Sequence, residues 1–182
     1  MKTLIIGDSW GAGHNADNGL DDGWRGFDCR NLAVDGSTAQ GWASNVAWLE
    51  SAVEAAKDAD AVIVSLLGND AFAAFADGRI DPSEIQEGHK NLRAVVEKFT
   101  GKRIIVMLYA IPRIPDFRAV IGLCLLNGAI RSACTGLTVE FADTQKWLTP
   151  DQVVGMPPHP TTEGWRVIRE NMEQLINREA TR

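Results

Sequence analysis

Leu4-Ile5-Ile6-Gly7-Asp8-Ser9-Trp10 is the stretch that decides the fold, because an apolar run ends there in a turn that carries a serine. The run is too short and too rich in β-branched residues for a helix, so residues 2–6 are predicted to form a buried strand that ends at Gly7. Ser9 then lies where the strand reaches the surface. A serine in that place can act as a nucleophile if the chain also supplies a general base and donors for an oxyanion.

Four further apolar runs follow this strand, and segments with helical spacing separate them. The predicted strands cover residues 29–34, 61–67, 103–109 and 138–141. Strands that alternate with helices indicate βαβ units, and therefore a parallel sheet between two layers of helices. Ligands of such sheets bind beyond the carboxyl ends of the strands. The residues that follow strands are therefore expected on one edge of the molecule, and they include Ser9, Gly36, Asn69 and Asp143.

Length, composition and charge limit the classes of protein that this chain can be. A length of 182 residues with 45% hydrophobic composition is typical of one domain, here residues 1–182. A net charge of −6 without a basic cluster argues against nucleic acid and anionic membranes as partners. The sequence shows neither a signal peptide nor an apolar run of about 20 residues, so we expect an intracellular protein with no membrane segment.

Metal and cofactor motifs are weak in this sequence. The three cysteines form no CxxC pair, and the acidic loop 17–22 does not have the spacing of a calcium loop, so neither a metal nor a cofactor is predicted. The run Gly11-Ala12-Gly13-His14-Asn15-Ala16 fits the dinucleotide pattern G-x-G-x-x-A. Three residues separate it from the strand-ending Gly7, which makes the phosphate loop too long. A nucleotide-binding domain is therefore only an alternative.

Several side chains near Ser9 have two interpretations each. Ser9 itself could simply cap the helix behind it. Trp10 and Trp24 lie in or near the loop after Ser9 and are predicted to line a substrate pocket. His159 follows two prolines that fix its loop, and it is the predicted base. His14 could approach a substrate, but a surface histidine is the favoured interpretation.

Four blocks in order make the chain resemble the SGNH hydrolases, also called GDSL-like esterases. They are Gly7-Asp8-Ser9, Gly36, Gly68-Asn69-Asp70 and His159-Pro160. Each block alone is weak, but four in order at strand ends are specific. The resemblance implies a flavodoxin-like three-layer α/β/α sandwich with a five-stranded parallel sheet. It also implies hydrolysis of an ester without a metal, with O-acetyl and short acyl groups on small molecules or glycans as candidate substrates.

The resemblance assigns a role to each block. Ser9 is the nucleophile and His159 is the base. The oxyanion donors are the backbone N–H groups of Ser9 and Gly36 and the side-chain amide of Asn69. These residue types fit the chemistry, because a glycine lets the backbone approach a tetrahedral carbon and an amide donates without carrying charge.

Two positions depart from the family pattern. Met156 stands where the aspartate that orients the histidine is usual, and Leu67 stands where a glycine is common. Three alternatives follow from Met156. Asp143 or Asp151 could be the third triad member, or a backbone carbonyl could orient His159 in a Ser-His dyad. The third alternative is a non-catalytic module that binds carbohydrate or acyl groups on the same fold.

Overall fold

The structure, a computed structural model, describes residues 2–75, 82–113, 117–155 and 157–178. Five parallel strands form its main sheet in the order β2-β1-β3-β4-β5. This finding confirms the predicted α/β fold with a five-stranded parallel sheet. The strands are β1 (Thr3–Gly7), β2 (Cys29–Asn31), β3 (Ala61–Ser65), β4 (Arg103–Leu108) and β5 (Glu140–Asp143).

Helices connect the strands and cover the sheet. Within the described residues, no helix is both long and apolar enough to cross a membrane. The helices are α1 (Ser9–Ala12), α2 (Ala39–Ser44), α3 (Val46–Ala56), α4 (Gly68–Phe75), α5 (Pro82–Glu97), α6 (Phe117–Ala133), α7 (Thr144–Trp147) and α8 (Thr162–Asn177), with a short 3₁₀ helix at Pro150–Gln152.

The three central strands form the core because they are apolar on both faces. All five residues of β1 and all five of β3 are buried. Strands covered by helices on both faces are expected to be nearly continuous in apolar residues, and this is the pattern of Ala61–Ser65. The carboxyl end of β1 is therefore held at the centre of the sheet.

Gly7 shows how closely the chain packs where β1 ends. Its φ angle is +144°, and a Cβ atom built on it would lie 2.0 Å from the carbonyl oxygen of Ser65. The next residue continues this contact, since Asp8 N donates a hydrogen bond of 2.8 Å to the same oxygen. Only glycine fits such an approach, so the turn that presents Ser9 is fixed by β3.

Two local features differ from the sequence prediction. The segment with helical spacing between β2 and β3 forms two helices, α2 and α3, which are divided at Asn45; its side chain accepts a hydrogen bond from Trp48 N and caps α3. A small antiparallel sheet also pairs β6 (Val153–Val154) with β7 (His159–Pro160). Strands of two residues carry no periodicity, so the sequence could not indicate them. Met156, between these two strands, lies outside the described residues.

Candidate active site

Ser9 and His159 meet at the carboxyl edge of the sheet. Asp8 caps α1, and Ser9 is the first residue of that helix. His159 lies on β7, where it pairs with Val154. Its Nε2 atom is 2.8 Å from Ser9 Oγ, although 150 residues separate the two in the chain. The structure thus places the predicted nucleophile and the predicted base in hydrogen-bond contact.

The second nitrogen of His159 bonds to a backbone carbonyl. The ring makes a hydrogen bond with the backbone of Pro157, and because proline has no N–H, the partner is its carbonyl oxygen. Since Nε2 faces Ser9, Nδ1 is the nitrogen left to donate to this carbonyl, and we assign the ring proton to Nδ1 on that ground. Nε2 is left as an acceptor for the Ser9 hydroxyl, which is the tautomer that a general base needs.

Asp143 and Asp151, the two predicted candidates for the third triad member, form ion pairs with other residues in this structure. Asp143 Oδ2 lies 3.0 Å from an Arg131 nitrogen and 3.2 Å from Lys146 Nζ. Asp151 is exposed, and its nearest cation is Arg113 at 3.9 Å. The carbonyl alternative agrees with the contacts of His159.

The segment around His159 is held by the loop that follows Ser9. Trp10 Nε1 donates to the carbonyl of Pro158 over 2.8 Å, and Ala16 N donates to the carbonyl of Pro160 over 3.0 Å. These two bonds lie on either side of His159 in sequence. They fix the backbone on which the imidazole sits, and so they set its distance from Ser9.

Trp10 and Trp24, which were predicted to line a substrate pocket, are both buried. Their exposed fractions are 2% and 5%, and both rings pack on Trp165. The indole N–H of Trp24 donates to the carbonyl of Trp10. An aromatic residue beside a serine has the same sequence pattern in a pocket and in a core, so only the tertiary packing distinguishes the two.

Gly36 and Asn69 lie at the same edge as Ser9. Gly36 has a φ angle of +72°, and within the described residues neither its N–H nor that of Ser9 has a hydrogen-bond partner. The amide of Asn69 donates to the carbonyl of Ser37 over 2.8 Å, and Ser37 Oγ in turn donates to the carbonyl of Gly7. One proton of the Asn69 amide is used in this way and the other has no partner among these residues.

Asp8 is a buried acid that the sequence analysis left without a role. It is 1% exposed, and its carboxylate accepts hydrogen bonds from Tyr109, from Ser65 and from the backbone of Trp10. Burial raises its pKa from 3.8 to about 6, although these hydrogen bonds lower it. The residue before the nucleophile therefore titrates within a common working range of pH.

The raised pKa of Asp8 predicts a pH-dependent stability. The folded state binds this proton more tightly than the unfolded state, so the free energy of unfolding falls as pH rises from about 4 to 6 and is level above that. The difference is about 3 kcal/mol, from 1.36 kcal/mol per pKa unit. Urea unfolding of wild type and Asp8→Asn between pH 4 and 8 should give curves that diverge in this window. Parallel curves would contradict the role of Asp8.

His14 contacts His159, and the sequence favoured a surface position for it. The two ring centroids are 4.6 Å apart with the rings tilted by 57°. His14 Nδ1 is 3.2 Å from Asp21 and 3.7 Å from Asp35. Long-range bonds produce this arrangement: Trp165 donates to the carbonyl of His14. No local pattern in the sequence could indicate these long-range hydrogen bonds.

Comparison with known proteins identifies the family of this chain. The pattern of the GDSL-like Lipase/Acylhydrolase family matches residues 5–167. Among curated protein sequences, none matches the chain significantly.

Solved structures with the same fold have low sequence identity to this chain. A member of the lipolytic protein G-D-S-L family from Veillonella parvula is 17% identical, with 98% of this chain and 99% of that chain covered and a TM-score of 0.70. An acetylxylan esterase from Geobacillus stearothermophilus is also 17% identical, with coverages of 98% and 94% and a TM-score of 0.67. A lipase from a goat rumen metagenome is 14% identical, with both coverages 96% and a TM-score of 0.67. The family match spans most of the sequence, and the chain therefore belongs to the GDSL-like lipase/acylhydrolase family.

Proposed function

We propose that this protein is a serine esterase that works with a Ser9–His159 dyad. The observation that carries the proposal is the distance of 2.8 Å between Ser9 Oγ and His159 Nε2. Membership of a lipase and acylhydrolase family supports an ester as substrate. The hydrogen bond from His159 to the Pro157 carbonyl supports a dyad, since a neutral acceptor also keeps the productive tautomer.

The proposed reaction proceeds through an acyl-enzyme. Ser9 Oγ attacks the ester carbonyl while its proton passes to His159 Nε2. The tetrahedral intermediate breaks its bond to the alcohol oxygen, and His159 returns the proton to that oxygen. Water then enters, gives a proton to His159 and attacks the acyl carbon. The bond from Ser9 Oγ to the acyl carbon breaks, His159 passes its proton to Ser9 Oγ, and the acid is released.

The resting state of His159 suits a general base. Burial lowers the pKa of His159, and the neighbouring His14 lowers it further, whereas Asp35, the Pro157 carbonyl and Asp21 raise it. The net result is below the usual 6.5, so the ring is neutral near pH 7 and can accept the serine proton.

Three donors are proposed to stabilise the oxyanion. The N–H groups of Ser9 and Gly36 have no partner among the described residues, and the Asn69 amide has one proton free. All three follow strands or precede helices at one edge of the sheet. Donors fixed in this way stabilise negative charge without reorganising during the reaction.

We propose short acyl esters, including O-acetyl groups of glycans, as the substrate class. An acetylxylan esterase is among the proteins with the same fold, and this gives acetylated sugars priority in a screen. The acidic chain agrees with a neutral substrate rather than a polyanion, because its net charge is −6.

Covalent labelling tests the proposal most directly. Incubation with a fluorophosphonate probe should give one adduct per chain, and peptide mass mapping should place it on Ser9. p-Nitrophenyl acetate should be hydrolysed at a rate above that of Ser9→Ala.

Ser44→Ala is the matched control for this labelling. Ser44 is exposed and its hydroxyl donates within α2, so the variant should label and turn over as wild type does. An unlabelled Ser9 together with turnover no higher than that of Ser9→Ala would exclude the esterase.

A further inference from the structure

The proposed dyad does not explain what stabilises the positive charge that forms on His159 during the reaction. When Ser9 attacks, His159 becomes an imidazolium. In a serine triad a carboxylate beside Nδ1 stabilises this charge. Here Nδ1 donates to the neutral carbonyl of Pro157, and neither Asp143 nor Asp151 contacts the ring.

A second histidine with two acids lies against the ring of His159. The rings of His14 and His159 are 4.6 Å apart between centroids. On His14, Nδ1 is 3.2 Å from Asp21 Oδ1 and 3.7 Å from Asp35 Oδ2, and these three atoms all lie within 4.8 Å of one another. We call His14, Asp21 and Asp35 the acid–histidine cluster.

The protein holds this cluster in place by contacts with α8 and β7. His14 O accepts from the indole N–H of Trp165, and Asn15 donates to the hydroxyl of Thr162. Asp17 accepts a hydrogen bond of 2.7 Å from Thr162 N. The backbone of residues 14 and 21 also forms an antiparallel bridge. The loop that carries His14 and Asp21 is thus tied to the elements that flank His159.

We propose that the two carboxylates of the acid–histidine cluster stabilise the positive charge of His159 during the reaction, acting across the His14 ring rather than through a hydrogen bond to Nδ1. This inference rests on the proposed esterase function. His14, Asp21 and Asp35 act as positioning residues in this scheme, because they act on His159 and not on the substrate.

The charges of the cluster have the sign that the proposal needs. Two carboxylates with one histidine give a net charge of −2 when His14 is neutral and −1 when it is protonated, so the cluster is negative in both states. Asp35 and Asp21 both raise the pKa of His159, and His14 lowers it. The two acids of the cluster and its histidine thus shift the pKa of His159 in opposite directions.

The other acids near the site face elsewhere. Asp8 bonds to Tyr109 and Ser65, and Asp17 bonds to the backbone of Thr162. Asp22 accepts from the side chains of Asn15 and Asn18. Within the part of the chain that the structure describes, His14, Asp21 and Asp35 are the charged side chains found to act on the pKa of His159.

Asp35→Asn is the first test. Loss of this charge should lower the pKa of His159, so the acidic limb of the kcat/KM profile moves to lower pH by roughly half a unit to one unit. The plateau of kcat should fall about three- to tenfold, because the imidazolium is less stable. KM should change little. A purely structural role would lower the plateau and leave the limb in place.

His14→Gln should shift the limb in the opposite direction. It removes the group that lowers the pKa of His159 and keeps both carboxylates, so the limb should move to higher pH. Both shifts should shrink in 1 M salt, because Asp21 and Asp35 are about half exposed and their field is screened.

Asp28→Asn is the matched control. Asp28 is an exposed acid that directly precedes β2, at the opposite end of the strands from Ser9. The variant should leave the acidic limb of the kcat/KM profile and the plateau of kcat unchanged. Unshifted limbs in Asp35→Asn and His14→Gln, or limbs that move in the same direction, would overturn the proposal. All assays contain EDTA, and a need for an added divalent ion would also overturn it.

An NMR titration of the His159 ring separates this inference from the proposed function. The pKa of His159 should fall in Asp35→Asn and rise in His14→Gln even if no ester is turned over. If the titration shows these shifts while Ser9 takes no fluorophosphonate, the coupling stands and the esterase fails. If Ser9 is labelled and the titration shows no shift, the esterase stands and the cluster has no such role.

Discussion

Ser9→Ala and His159→Gln are each expected to lower kcat for p-nitrophenyl acetate by about 10⁴–10⁶-fold, and the double variant should lose no more than either alone. The reason is that the two groups act as a unit. The Ser9 hydroxyl is a weak nucleophile without the base His159, whose Nε2 lies 2.8 Å away, and His159 has no proton to accept without the hydroxyl. Steady-state turnover and the acyl-enzyme burst measure the loss.

Two controls make this result specific to the dyad. His89→Gln removes a histidine that bonds to Ser132 between α5 and α6, and it should leave turnover unchanged. Asp143→Asn should keep turnover within about threefold, because a triad acid replaced by its amide costs about 10⁴ and this acid is not at His159. Losses that add in the double variant would show that Ser9 and His159 act in separate steps.

Asn69→Ala should lower kcat by about 10²–10³ with little change in KM. The amide is proposed to donate to an oxygen that is negatively charged only in the transition state, so the substrate itself binds as before. The variant also loses the bond to the Ser37 carbonyl, which costs about 1 kcal/mol of stability. A 10²–10³-fold loss corresponds to about 3–4 kcal/mol, which is more than that bond supplies.

Asp70→Asn separates the catalytic part from the structural part. Asp70 accepts hydrogen bonds from the backbone of Ala39 and Gln40 and so holds the start of α2. The variant should lower the free energy of unfolding while kcat changes less than about threefold. Equal losses of kcat in Asn69→Ala and Asp70→Asn would assign both residues to loop structure, and a change confined to KM would refute the oxyanion role.

Much of the fold could be predicted from the sequence because buried parallel strands are apolar throughout. The runs at Thr3–Gly7, Ala61–Ser65 and Arg103–Leu108 are strands of the central sheet. The parallel arrangement then brings the residues after each strand to one edge, which is why Ser9 and Asn69 could be placed at a common site before any contact was known. The pairing of Ser9 with His159 was expected from the resemblance to the SGNH hydrolases, because His159 does not follow a strand of this sheet.

The parts that were missed depend on contacts between distant segments. Trp10 is buried because its indole reaches Pro158, 148 residues away, and nothing beside Trp10 in the sequence indicates this. His14 reaches His159 because α8 and β7 hold its loop. The bond from His159 to Pro157 is local, but it depends on the backbone conformation of a proline-rich turn, and the sequence could only offer a carbonyl as one of three alternatives.

The separation of Ser9 and His159 in the chain also matters while the protein is being synthesised. The serine leaves the ribosome 150 residues before the histidine, which corresponds to roughly 10–30 s at ordinary rates of translation. During that interval the nascent chain contains the proposed nucleophile without its proposed base. A chain that stalls or is cut before residue 159 lacks the proposed base, so we expect Ser9 in incomplete products of synthesis to react no faster than an ordinary serine.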